Sequence, residues 1–165
     1  MNKLRMKRPE PFHVVLVEPE IPQNTGNIAR LCAATGTTLH LVGKLGFRVD
    51  DKAVRRAGLD YWPLVTVKQH PDPDACLADI GDAPGPFLLT TKSERCYTDA
   101  PFEPGSVLVF GKETKGLSEE IMSRFPDRCY GIPTVEQSVR SLNLSNAVSI
   151  VLFEALRVTG ALNRR

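Results

Sequence analysis

Short polar side chains and glycines are concentrated in three separate stretches of this 165-residue sequence. These stretches are PQNTGNIAR at 22–30, GKETKGLS at 111–118, and IPTVEQSVRSLNLSNA at 132–147. They offer amides, hydroxyls and backbone N–H groups, with Arg30 and Glu113 as charged candidates, and they contain no histidine. Such an inventory suits a bulky, polar ligand that is already reactive, because that ligand needs placement more than acid–base help.

Several common chemistries lack the residues they need. The first stretch has no G-x-G-x-x-G dinucleotide motif, and the second has Leu117 where a P-loop requires its phosphate-binding lysine. His13, His40 and His70 fall in or beside predicted strands, where packing or surface roles are expected. The sequence therefore predicts neither a hydrolytic triad nor a metal centre.

Composition describes an ordinary globular chain with basic ends. The length is typical of one domain of roughly 100–200 residues, predicted here at 12–160 between a basic tail at 1–11 and a short tail at 161–165. The net charge of +2 identifies no partner by itself, and the basic tails are either solvated or contacts for an anionic polymer. The four cysteines are scattered, no apolar signal follows the basic start, and no apolar run is long enough to cross a membrane. We expect a cytoplasmic protein with free thiols and no membrane contact.

Short apolar runs rich in β-branched residues alternate with helical patterns along the chain. The predicted strands are 13–18, 38–43, 63–68, 86–91, 106–111 and 129–133. The predicted helices are 24–35 before a Gly36 cap, a short helix in 50–58 opened by Asp50 or Asp51, 72–81, 118–125 opened by Ser118, and a final helix over 147–156. This alternation predicts an α/β fold with a mostly parallel sheet flanked by helices. All three polar stretches follow strands, and ligands bind beyond the carboxyl ends of such strands.

The same three stretches resemble the motifs of the SPOUT (SpoU–TrmD) methyltransferases, in their SpoU branch. The residues that carry the resemblance are NTGNIAR, VLVFGKETKGL and IPTVEQSVRSLNLSNAVSIVLFEAL, with further similarity across nearly the whole chain. The resemblance implies S-adenosylmethionine as methyl donor without a metal, a deep C-terminal trefoil knot, and a homodimer in which the first and last helices pack together. It is strongest to the small stand-alone enzymes that methylate the ribose 2′-hydroxyl of the tRNA wobble nucleotide, cytidine 34 or 5-carboxymethylaminomethyluridine 34. The implied partner is therefore the anticodon stem-loop of tRNA.

The resemblance also implies roles for individual residues. Arg30 matches the family's catalytic arginine, and we expect it to act as a cation rather than a base, because arginine stays protonated. The donor pocket is expected to be lined by Leu89, Gly111, Ile132, Ser141, Leu142 and Asn143. Asn24 and Asn27 are expected beside the ribose or Arg30, and Glu113 as an orienting group for the second motif. Candidate RNA contacts are Arg55, Arg56, Lys112 and Lys115, for which plain solvent exposure is the alternative.

Two other functions remain open from the sequence. The first is 2′-O-methylation of a different ribose, in tRNA or in ribosomal RNA. The second is a knotted domain that binds RNA without transferring a methyl group, against which Arg30, Glu113, Ser141 and Asn143 all count.

Overall fold

The computed structural model describes residues 4–50, 52, 54, 56 and 61–163. Its strands are β1 His13–Val17, β2 Thr38–Val42, β3 Val67–His70, β4 Phe87–Leu89, β5 Val107–Phe110 and β6 Cys129–Tyr130. Its longer helices are α1 Pro22–Thr35, α2 Pro73–Ile80, α3 Glu119–Arg124 and α4 Leu144–Val158. Short 3-10 turns occupy Trp62–Leu64, Tyr97–Asp99 and Pro126–Arg128.

The six strands form one sheet in the order β3-β2-β1-β5-β4-β6. Every strand pairing is parallel. This confirms the predicted α/β fold with a parallel sheet. The order reverses between β1 and β5, so the loops that follow these two strands flank the crevice where open α/β sheets bind ligands.

Both faces of the sheet are covered, which explains the nearly continuous apolar strands. Val14 and Leu16 of β1 point into the core cluster that contains residues of α1 and α4. Val15 and Val17 point to the opposite cluster, which contains Cys76 of α2. All four cysteines are free thiols, as predicted. Within the described part of the chain, no helix combines the length and apolar character needed to cross a bilayer.

Local capping signals in the sequence are reproduced at several helix ends. Gly36 closes α1 in the left-handed conformation, with φ of 66°, where glycine carries no steric cost. Ser118 caps α3 by accepting a hydrogen bond from the Ile121 N–H. Lys52, Val54 and Arg56 are helical, whereas Asp51 and the other residues of the predicted helix in 50–58 lie outside the described residues.

Several predicted boundaries are wrong. The final helix begins at Leu144 rather than at residue 147, and the last strand ends at Tyr130 rather than at residue 133. The strand predicted at 63–68 is instead a 3-10 turn at Trp62–Leu64 followed by β3 at Val67–His70. β3 is an edge strand whose central residues are exposed, so it lacks the apolar signature on which the prediction depended. Helix α1 begins at Pro22 rather than Asn24, because proline is well suited to the first helical turn.

Candidate active site

The loops after β1 and β5 are joined by the carboxylate of Glu113. The Glu20 N–H donates to Glu113 Oε1 at 2.8 Å, and the Ile21 N–H donates to Oε2 at 2.7 Å. Asn24 Nδ2 also donates to Oε2, at 3.2 Å. Helix α1 has no side-chain cap from its own N-cap residue, Ile21. Glu113 therefore caps the N-terminus of α1 from a distant part of the chain. Its negative charge also interacts favourably with the positive end of the helix dipole.

A carboxylate of the loop after β1 in turn accepts hydrogen bonds from the loop after β5. Glu20 Oε1 accepts hydrogen bonds from the N–H of Thr114 at 3.0 Å and from its hydroxyl at 2.7 Å. The hydrogen bonds from Thr114, with a smaller contribution from nearby Lys112 and Lys115, hold the pKa of Glu20 below its usual value. Each loop thus places a carboxylate on the other, which fixes their relative position.

Asn24 extends this network to the start of the last helix. Its Oδ1 accepts a hydrogen bond from Asn143 Nδ2 at 3.1 Å, and its own side chain is buried. Asn143 is the N-cap of α4, and its Oδ1 accepts from the N–H groups of Ser145 and Asn146. The chain of bonds from Asn143 through Asn24 to Glu113 joins one residue from each of the three polar stretches.

The turn after β5 has no room for a side chain at its first residue. A Cβ built on Gly111 would lie 2.0 Å from the carbonyl carbon of Gly116 and 2.2 Å from the Leu117 nitrogen. Gly116 itself has φ of 66° and donates its N–H to the Lys112 carbonyl. The two glycines close a tight loop that presents Glu113 to α1.

The remaining donor-pocket candidates lie at the same end of the sheet, where the parallel strands have their carboxyl ends. Leu89 is the last residue of β4 and is aligned with Phe110 of β5 and Tyr130 of β6. Leu89 is buried, and Ile132, two residues after β6, packs partly buried against the same core cluster. Ser141 is exposed and Leu142 half-buried, just before α4. Main-chain groups following three neighbouring strands and preceding one helix thus surround this edge.

Arg30 is exposed on α1 and lies over an aromatic ring. Its guanidinium carbon is 4.9 Å from the centroid of the Tyr61 ring, which is within cation–π distance. Asn27, one turn earlier on α1, is also exposed. Both side chains are exposed, and among the described residues neither makes a hydrogen bond to the Asn24–Glu113–Asn143 network.

Two of the candidate RNA contacts, Lys112 and Lys115, lie on the loop after β5. Lys112 Nζ lies 3.6 Å from Glu18 Oε2, and Lys115 is exposed on the tight loop. Arg56 is exposed, whereas Arg55 lies outside the described residues.

Two residues of the site were not singled out from the sequence. Glu20 lies two residues before the first polar stretch, and an acidic residue ahead of a helix start was the available signal. Tyr61 follows the predicted helix in 50–58 and had no local signal, because its contact with Arg30 depends on the packing of a distant segment.

Comparisons with known proteins agree on one family. The model of the SpoU rRNA Methylase family matches residues 11–153. The chain is 50% identical over 153 residues to the tRNA (cytidine(34)-2'-O)-methyltransferase of Burkholderia pseudomallei, covering 90% of this chain and 96% of that protein. A relative of the same name from Methylovorus glucosotrophus is 48% identical, over 88% of this chain and 94% of that protein.

The similar solved structures are also described as methyltransferases or by the methylation of RNA. One, described as structural insights into the 2-OH methylation of C/U34 on tRNA, is similar with a TM-score of 0.85 and 42% identity, covering 90% of this chain and 96% of the other. The SpoU methyltransferase AviRb of Streptomyces viridochromogenes, solved in complex with the cofactor AdoMet, is similar with a TM-score of 0.77 and 26% identity. That similarity covers 92% of this chain and 62% of AviRb.

Proposed function

The chain belongs to the SpoU rRNA Methylase family, and from this premise we propose that it methylates the ribose 2′-hydroxyl of the wobble nucleotide of tRNA. The donor is S-adenosylmethionine, and the acceptor is nucleotide 34, cytidine or 5-carboxymethylaminomethyluridine. The observation that carries the proposal is the bonded network of Asn24, Glu113 and Asn143, which fixes all three family motifs at one edge of the sheet. The relatives named for the cytidine 34 reaction support the choice of nucleotide.

The residues at this edge fit S-adenosylmethionine chemically. Aliphatic side chains from Leu89, Ile132 and Leu142 suit an adenine ring, and the turns around them offer main-chain N–H and C=O groups for its polar edge. When bound, S-adenosylmethionine supplies a methyl group already activated by a sulfonium, so the transfer is a direct displacement and needs no metal.

Arg30 is the residue that we propose acts on the acceptor. Its guanidinium stays protonated in proteins, so it cannot take the proton of the 2′-hydroxyl. It instead binds the neighbouring phosphate and stabilises the negative charge that develops on the 2′-oxygen, while the proton leaves to solvent. The Tyr61 ring under the guanidinium holds that cation in place without competing for its N–H groups.

Asn24, Glu113 and Asn143 act as positioning residues. Their bonds connect α1, which carries Arg30, to the loop after β5 and to the start of α4. A methyl transfer depends on alignment of donor and acceptor, and misplacement by about 1 Å can cost on the order of 100-fold in rate. The network supplies this alignment.

Exposed side chains support contacts with tRNA and with a second copy of the chain. We expect Lys115, Arg56 and the exposed basic residues Arg5, Lys7 and Arg8 to contact phosphates, in the cytoplasm where tRNA is processed. Phe153 and Val158 of α4 are 43% and 45% exposed, and Ile21 ahead of α1 is 42% exposed. These apolar groups lie on the two elements that the family resemblance assigns to a homodimer interface.

The proposal includes a trefoil knot in the C-terminal segment. β6 lies at one edge of the sheet beside β4. The chain then returns over residues 131–143 to bond with Asn24, in the first turn of α1. Such a return past the loops after β4 and β5 is what the knotted path requires.

The function is tested with tRNA from cells that lack the protein. The purified chain and S-adenosylmethionine should introduce one 2′-O-methyl group, found on nucleotide 34 by nuclease digestion and mass spectrometry. The matched control is an anticodon stem-loop with a 2′-deoxynucleotide at 34, which has no acceptor hydroxyl and should remain unmethylated. Methylation of the deoxy control, or no methylation of the tRNA, contradicts the proposal.

The family description also favours a second candidate, methylation of a ribose in ribosomal RNA. The same digestion applied to ribosomal RNA from cells lacking the protein decides between the two. A 2′-O-methyl nucleotide missing from ribosomal RNA, with nucleotide 34 of tRNA unaffected, supports this candidate.

A further inference from the structure

Three histidines from three adjacent strands form a ladder across the sheet. His13 Nδ1 lies 3.0 Å from His40 Nε2, and His40 Nδ1 lies 3.0 Å from His70 Nε2. The ring centroids are 5.2 Å apart at both steps. The strand register offsets each histidine from the next by two residues, so all three point to the same face of the sheet.

A cysteine completes this cluster from the covering helix. The ligand atoms of His40, His70 and Cys76 all lie within 4.8 Å of one another. His40 is fully buried and Cys76 is 1% exposed, whereas His70 is half-buried and opens the cluster toward solvent. Neither the proposed methyl transfer nor the apolar core requires two stacked imidazoles and a thiol at this place.

We propose that His40, His70 and Cys76 form a zinc-binding site, separate from the site of methyl transfer. Two imidazole nitrogens and one thiolate are ligands that zinc prefers, and three protein ligands leave a fourth position for water or a carboxylate. Zinc bonds of roughly 2.0–2.3 Å place tetrahedral ligand atoms about 3–4 Å apart. The three ligand atoms lie within 4.8 Å of one another, so small side-chain rotations bring them to that spacing. The open position faces the solvent side, beside His70.

The groups around the cluster suit this role. With zinc on His40 Nδ1, the other nitrogen of that ring carries a hydrogen and donates it to His13 Nδ1, the outer contact that ligating histidines usually make. Asp79 provides a carboxylate close enough to interact electrostatically with both ligand histidines, and it pairs with Lys68 at 3.1 Å. The Cys76 thiolate then offsets one charge of the zinc, and Asp79 adds a nearby carboxylate whose charge is shared with Lys68.

Binding exchanges a proton for the metal ion. Zinc is ligated by a thiolate and by neutral imidazoles, whereas an ordinary cysteine is mostly a protonated thiol at neutral pH. Binding therefore replaces the S–H bond of Cys76 with a zinc–sulfur bond and releases one proton per ion.

The site is independent of the methyl-transfer residues. It lies on the face of the sheet covered by α2, and it shares no residue with the network of Asn24, Glu113 and Asn143. The ion would instead join the edge strand β3 to β2 and α2, which stabilises an edge whose central residues are exposed.

The test uses the full chain, freed of metal with a chelator and titrated with Zn²⁺. Calorimetry should show one ion per chain with release of about one proton per ion, and zinc should raise the melting temperature. Co²⁺ in place of zinc should give a thiolate-to-metal charge-transfer band. Cys76→Ala should remove that band, whereas Cys96→Ala, the matched control at another free cysteine, should retain it.

His70→Gln is the second variant, because its half-buried side chain makes folding less sensitive to the change. It should weaken zinc binding by at least the roughly 10–100-fold that loss of an outer-shell partner costs. Failure of the metal-free chain to bind zinc overturns the site. A cobalt complex without the thiolate band overturns it, as does wild-type affinity in His70→Gln.

Discussion

Replacing Glu113 with glutamine tests whether one carboxylate holds the site together. The two side chains have nearly the same shape, so the change leaves packing intact. The carboxylate accepts three hydrogen bonds, from the N–H groups of Glu20 and Ile21 and from Asn24 Nδ2. A glutamine amide keeps one oxygen and presents an NH₂ group to at least one of these donors.

The rest of the network cannot adjust to this change. Asn24 could rotate its amide to accept from the new NH₂ group, but its oxygen already accepts from Asn143 Nδ2. Asn143 cannot rotate in turn without removing its oxygen from the first N–H groups of α4. At least one hydrogen bond to a charged group is therefore lost, which costs about 1.5–3 kcal/mol. For a chain of this length that lowers the melting temperature by roughly 3–12 °C.

The assay is urea unfolding followed by circular dichroism at one fixed protein concentration, with S-adenosylmethionine binding measured by calorimetry. Glu119→Gln is the matched control, because the Glu119 side chain is exposed and its ion pair, with Lys92, lies at the surface. Such a pair contributes about 0–1 kcal/mol. Glu113→Gln should lose both stability and donor affinity relative to this control. A free energy of unfolding within about 0.5 kcal/mol of the control, with unchanged donor affinity, would refute the role of the network.

Four further outcomes are expected. Arg30→Ala should lose most methyl transfer in a tritiated-methyl assay while donor binding by calorimetry is kept; near-wild-type turnover would contradict its role. Gly111→Ala should show no folded state in thermal melts, because the added Cβ would lie 2.0 Å from backbone atoms. In Gly116→Ala the added Cβ meets open space, so this variant should lose only about 1–2 kcal/mol of stability for its left-handed φ. The low pKa of His40, about 3, means that the unfolded chain binds a proton that the folded chain does not. Stability should therefore fall as pH drops from about 6.5 toward 3, by up to ~1.4 kcal/mol per pH unit, and His40→Gln should flatten that slope in urea titrations. Lys115→Ala should reduce the slope of log tRNA affinity against log salt by about 1, and an unchanged slope would exclude it from phosphate contact.

Features set by neighbouring residues could be predicted from the sequence. Gly36 and Ser118 were identified as helix ends because a cap acts within one turn of its own helix. Buried strands such as β1 were identified because both of their faces are apolar. The edge strand β3 was misplaced because exposed Lys68 and Gln69 occupy its centre.

Features set by distant residues could not be predicted in this way. The carboxylate of Glu113 binds Ile21 across 92 residues of chain, and no local pattern reveals such a pair. The resemblance to a family assigned Asn24 and Glu113 to one site without giving the hydrogen bond between them. The ladder of His13, His40 and His70 depends on strand register, so it could not be predicted from the spacing of the histidines along the chain.

The central claim is that turns following β4, β5 and β6 meet the start of α4 to form the methyl-donor pocket. A crystal structure of the chain with S-adenosylhomocysteine, the product of transfer, tests it most directly. The adenine should lie beside Leu89, Gly111 and Ile132, with the sulfur turned toward Arg30. Density for the ligand at another place, or its absence at saturating concentration, would contradict a methyl-donor pocket at this position.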